Sequence, residues 1–159
     1  MTNNFSIRFI DSYRFMESKL STLADNLITP EFEKFRETAK HFFTEDMQLV
    51  TRKGVYPYEY TDSWDKLEES SLPRKEDFYS SLYESNIDDN EYKHAKTVWN
   101  HFKCKNLGEY SDLYLKIDVL LLADVFENFR GMCISTYNLD PVFLLHRSGI
   151  QFRLHVKIH

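Results

Sequence analysis

"YLKIDVLLLADVFENF", Tyr114 to Phe129, is the stretch on which the fold turns. Its apolar residues recur densely enough for a buried element, and its length suits a helix rather than a strand. Asp118 stands inside it, between Ile117 and Val119, four residues after Tyr114. A buried carboxylate without a partner costs several kcal/mol. Asp118 therefore either sits at the edge of the apolar stripe and meets water, or faces a cleft that offers it something positive. Positions i and i+4 share a helix face, about 5–6 Å apart at Cβ, so Tyr114 and Asp118 point the same way. As bare spacing this is weak, and a core Tyr beside a solvent-edge Asp is the ordinary outcome. Asp124 falls about 240° around the helix from Asp118. It cannot join Asp118 on one ion and reads as a solvated carboxylate.

Working outward, the helix is expected from Glu109 to Asn128 or beyond, with Gly108 separating it from the element before. That element opens at Asp88, whose spacing to Glu91 resembles a capping box, and continues through Tyr92, Ala95, Val98, Trp99 and Phe102. Short helices are expected near Trp64–Glu69 and Lys75–Glu84. "LVTRKGVYPYEY" (49–60) breaks the helical pattern: Gly54 and Pro57 exclude a helix, and Val50, Val55, Tyr56 and Tyr58 favour extended chain. Thr29 and Pro30 read as cap and first residue of a helix through Phe43. Leu20, Leu23 and Leu27 space another helix, with Ser18 as its cap. "FSIRFIDSYRF" (5–15) alternates as a strand does. The tail turns at Asp140-Pro141 and shows no clear period. A mostly helical α+β chain follows, with too little sheet for a complete α/β domain.

The chain has 159 residues, 42% hydrophobic, 16% aromatic and 28% charged, with a net charge of −5. Thirteen Phe and ten Tyr argue for a packed interior rather than disorder. The negative balance argues against an autonomous DNA-binding domain held by a basic field, though not against a cleft that grips DNA through local cations. Two cysteines, Cys104 and Cys133, form no CxxC and suit a reducing compartment. No apolar run is long enough for a membrane span and no signal-peptide pattern opens the chain, so an intracellular protein, nuclear or cytoplasmic, is expected. His94 and His101 lie about two turns apart on one helix face, too far to share an ion. Lys53, before Gly54, reads either as a surface lysine or as a contact to a phosphodiester, with Gly54 letting the backbone approach.

"RKGVYPYEY", "LPRKEDFYSSL", "YSDLYLKIDVLLLADVFENFR" and "YNLDP", in that order, resemble the protein-primed family B DNA polymerases of Maverick/Polinton elements and related viruses and linear plasmids. The similarity runs from about Ile7 to Phe143. It implies a 3′–5′ proofreading exonuclease of RNase H-like fold, in which acidic residues from three motifs hold two magnesium ions. Residues 1–137 would then be the C-terminal part of that domain, and 138–159 the start of the polymerase region or a divergent tail. By the resemblance Asp118 is a metal ligand, Tyr114 positions the attacking water, and Lys53 steadies the scissile phosphate. Ser12 and Tyr56 would contact the DNA primer strand, or in the case of Ser12 the priming terminal protein, although Tyr13 stands where the family has Leu. The first two exonuclease motifs, expected upstream of Ile7, and the polymerase motifs are not in the sequence. A fragment is therefore expected, inactive by itself. The alternatives are a non-catalytic helical binding module and a decayed mobile-element remnant.

Overall fold

In a computed structural model, residues 11–14 and 16–144 are described. They are mostly helical. Among them the one β-bridge pairs Ser80 with Ser85. The helices run α1 Leu20–Asp25, α2 Arg36–Ala39, α3 Met47–Val50, α4 Trp64–Leu67, α5 Asp89–His101, α6 Leu107–Tyr137 and α7 Pro141–Leu144. Short 3-10 turns occupy Ser12–Arg14, Thr44–Asp46 and Lys75–Phe78. Two compact units divide the chain: Leu20–Val125, and the residues on either side of it.

The core of Leu20–Val125 has two clusters. Ala24, Phe35, Met47, Val50, Ile117 and Leu121 make one. Ala95, Val98, Leu107 and Tyr110 make the other, with Leu49, Phe102 and Leu113 packed against both. The face of α6 that supplies them recurs at Leu107, Tyr110, Tyr114, Ile117 and Leu121, the three-and-four spacing of a helix stripe. Leu115, Val119 and Leu122 are as apolar but face outward, 61%, 57% and 41% exposed.

Several local expectations are met and several are corrected. Asp88 caps α5 as its spacing foretold: Glu91 N donates to its carboxylate at 2.7 Å and Asp88 N to Glu91 at 2.9 Å. The segment after α3 is non-helical through Pro57, which is fully buried. Gly108 does not separate helices; it lies in the first turn of α6. The break is at Lys103, whose φ of 55° ends α5. Asn106 then starts α6, its side chain accepting from Glu109 N at 2.9 Å. Gly108 is there because a Cβ would come within 3.3 Å of the Leu67 carbonyl oxygen.

Residues 29–43 are not one helix. Phe32 adopts φ 54°, the Thr29 hydroxyl is buried and makes no hydrogen bond, and only Arg36–Ala39 is α-helical. The expected helix over Lys75–Glu84 is a 3-10 turn followed by the Ser80–Ser85 bridge. The helix α1 starts at Leu20, which puts Ser18 one residue before the cap position, and its first turn has no acidic residue. Phe5, Ile7 and Phe9 lie outside the described residues. The described end of that strand-like stretch is a turn, because Asp11 takes the Tyr13 N–H at 3.0 Å and competes with sheet bonding. In the flanking unit Arg130 donates to Asp140 at 2.9 and 2.7 Å. Asp140 accepts from Val142 N at 3.1 Å, which makes the expected turn before Pro141.

Candidate functional site

Tyr114 and Asp118 are brought to one place by the 3.6-residue repeat of α6. Lys53 reaches them from the extended segment, across 61 and 65 residues of chain. Three devices hold that segment against α6. The Tyr110 hydroxyl donates to the Val55 carbonyl at 2.8 Å. Pro57 is buried. Tyr56 packs its ring on Tyr114 and Tyr110, with centroids 5.3 and 6.4 Å away. Aromatic contacts of this kind add about 0.5–1.5 kcal/mol each beyond the area they bury.

Lys53 Nζ donates to the Tyr114 hydroxyl at 3.1 Å and forms an ion pair with Asp118 Oδ2. The two side chains are 31% and 20% exposed, so the pair is only partly screened by solvent. The Tyr58 hydroxyl meets that of Tyr114 at 2.9 Å. Burial, and then the nearby Asp118 carboxylate, push the Tyr114 phenol up to about 12. Tyr58 is raised as well, by burial first and then by its bond to Tyr114. Both phenols therefore stay protonated at neutral pH and can donate.

Asp118 Oδ1 is buried and has no hydrogen-bond partner. This oxygen lacks a donor or a cation, while Oδ2 is held by an ammonium. The question raised by the sequence thus has a structural answer: Asp118 is partly buried and faces a lysine. Among the described residues no three His, Cys, Asp or Glu side chains converge in a way that could hold a metal ion. One carboxylate oxygen beside an ammonium does not make a site for two magnesium ions, and Mg²⁺ is held weakly by so few ligands. The described residues do not by themselves fit that group.

Of the other residues singled out by sequence, Tyr56 joins the aromatic packing beside Tyr114. Ser12 is half-buried in the 3-10 turn, its carbonyl accepting from Met16 N at 3.1 Å, in the unit that does not contain Lys53. Tyr58 was missed; the signal was available, since Tyr56 and Tyr58 are two apart in extended chain and share a side.

Asp124 is a correction. It is not solvated but 1% exposed. Its carboxylate accepts from Glu37 N at 2.7 Å, Thr38 N at 3.0 Å and the Thr38 hydroxyl at 2.6 Å. These groups open α2, whose own N-cap position is Phe35 and has no acceptor. Asp124 thus caps a helix from a distance. His101 Nε2 lies 2.6 Å from Asp46 Oδ1, and Asp46 Oδ2 accepts from Phe43 N at 3.0 Å. This pair ties the end of α5 to the turn before α3.

No protein-family model, no curated protein and no solved structure matches the chain. Among the described residues no helix is long and apolar enough to cross a membrane.

Proposed function

We propose that this chain is part of a protein-primed family B DNA polymerase, of the Maverick/Polinton, viral and linear-plasmid type. On this reading it carries the third motif of an RNase H-like 3′–5′ exonuclease domain. The observation that carries the reading is the convergence of Lys53, Tyr114 and Asp118 from separate parts of the sequence. A phosphodiester cleft needs a cation for the phosphate, a hydroxyl to orient water and a carboxylate on one wall. Lys53 would leave Asp118 for the scissile phosphate, and Tyr114 would orient the water. Asp118 would then offer its oxygens to metal ions that the carboxylates of the other two motifs would also hold. DNA and a priming terminal protein are the partners this implies.

The chain alone is expected to degrade no oligonucleotide with Mg²⁺ or Mn²⁺, and to incorporate no nucleotide. Degradation by the purified chain that is lost in Asp118→Ala would overturn the claim that it is incomplete. The flanking gene sequence tests the family reading. An in-frame Asp-x-Glu strand upstream and polymerase motifs downstream support it, and stop codons close on both sides overturn it. In the extended enzyme, Asp118→Ala should remove most proofreading and spare polymerisation, which uses its own metal site.

A second reading, a helical binding module, is favoured by the outward stripe Leu115, Val119 and Leu122 on α6. Beside it lies a groove of about 320 Å³ lined by His41, Asp112, Leu115, Lys116, Val119 and Leu120. Exposed apolar patches of this kind mark contact surfaces. Under that reading Lys53→Ala and Asp118→Ala leave partner binding intact, and Val119→Asp abolishes it.

A further inference from the structure

Lys53 is fully engaged, but its neighbour Arg52 is not. Arg52 is half-buried. Among the described residues no carboxylate lies within ion-pair distance of it. Arg52 lines a small cavity of about 10 Å³ together with His94 of α5, and its charge acts on the His94 ring. Gly54 and Tyr114 form part of the same wall, so the cavity lies alongside the Lys53 cluster. The titratable groups that face His94 there are Arg52, Tyr110 and Tyr114. No described group hydrogen-bonds the His94 ring. A guanidinium and an imidazole therefore share a recess, half withdrawn from water, with no anion of the protein's own.

That combination has a definite ligand chemistry. A guanidinium presents a planar fork of donors suited to two oxygens of one anion. An imidazole beside it donates to a third oxygen when protonated. The cavity admits no more than a water, so an anion would meet Arg52 and His94 from outside it. Burial and the Arg52 charge now push His94 down to about 4, so it is neutral at pH 7. An anion at this position reverses the second of those causes.

We infer that Arg52 and His94 form an oxyanion subsite for a phosphate group, taking the backbone phosphodiester next to the one at Lys53. The nucleic-acid source rests on the proposed function; the phosphate chemistry does not.

The experiment follows the His94 ring by NMR in the full chain, titrated first with inorganic phosphate and then with a six-residue oligothymidylate without terminal phosphates. Phosphate should raise the His94 pKa by about one unit or more. Arg52→Gln should weaken oligonucleotide binding about tenfold and Arg52→Lys by less, since the charge survives but the fork does not. His94→Asn, which leaves the guanidinium in place, should weaken it by a smaller factor than Arg52→Gln. A His94 pKa unmoved by phosphate overturns the subsite. So does an oligonucleotide affinity equal in wild type, Arg52→Gln and His94→Asn. If phosphate moves His94 but the oligonucleotide does not bind, the subsite stands and the nucleic-acid reading falls.

Discussion

Two aspartates on α6, six residues apart, have opposite surroundings. Asp124 is sealed in and accepts from two backbone N–H groups and a hydroxyl at the start of α2. Asp118 is partly open, held by one flexible lysine, and keeps one oxygen without a donor. A carboxylate whose acceptor capacity is met by fixed backbone groups is a structural joint, since nothing can replace those groups without unmaking the fold. A carboxylate met by a lysine ammonium is exchangeable, because the lysine can swing away and another cation or donor can take its place. The lesson is to count what satisfies a carboxylate and whether that partner can leave.

The largest test of the contrast is Asp124→Ala. It strands a buried N–H and hydroxyl of Thr38 and the part-buried N–H of Glu37, and should cost about 3 kcal/mol or more in denaturant unfolding. A loss under about 1 kcal/mol would show that α2 has another cap and would collapse the distinction. The Lys53–Asp118 pair should respond less. Lys53→Met leaves the carboxylate without its cation and should cost about 1–2 kcal/mol. Asp118→Asn should cost about 1 kcal/mol or less, because its second oxygen was never satisfied. A double-mutant cycle should return a coupling near 1 kcal/mol. Coupling as large as the Asp124 effect would make this pair a structural joint too.

A further effect, comparable to that of Lys53→Met, is in pH. His94 is held below its unfolded value, so at mildly acid pH the unfolded chain binds a proton that the folded chain does not. Its contribution is complete above about pH 6.5 and is lost as pH falls toward 4, on the order of 2 kcal/mol after allowance for partial exposure. Comparing unfolding at pH 7 and 5 in wild type and His94→Gln isolates it. Equal pH slopes in the two proteins would show that neither burial nor Arg52 holds His94 down.

What could be read from the sequence was what depends on neighbours in sequence. The Asp88–Glu91 box, the i, i+4 relation of Tyr114 to Asp118 and the break at Gly54 and Pro57 are all local. The buried face of α6 was not legible, because Leu115, Val119 and Leu122 are as apolar as Ile117 and Leu121. Gly108 looked like a terminator, since nothing local reveals that the Leu67 carbonyl crosses it. Asp124 was misread for the same reason: its partners are backbone groups 86 and 87 residues away. Lys53 was tied to Asp118 only through the family resemblance. Arg52 has no pattern that announces its neighbours.

The distant cap has a further consequence. Four residues, Arg36–Ala39, are far too few for a helix to persist unaided. The amide protons of Glu37 and Thr38 are nevertheless sequestered by a side chain that belongs to a helix of 31 residues. Their exchange with deuterated solvent should therefore keep pace with the opening of α6 near Asp124, not with fraying of their own turn. Slow exchange at these two positions, surrounded by fast-exchanging loop amides, would show that the short helix borrows its permanence from the long one.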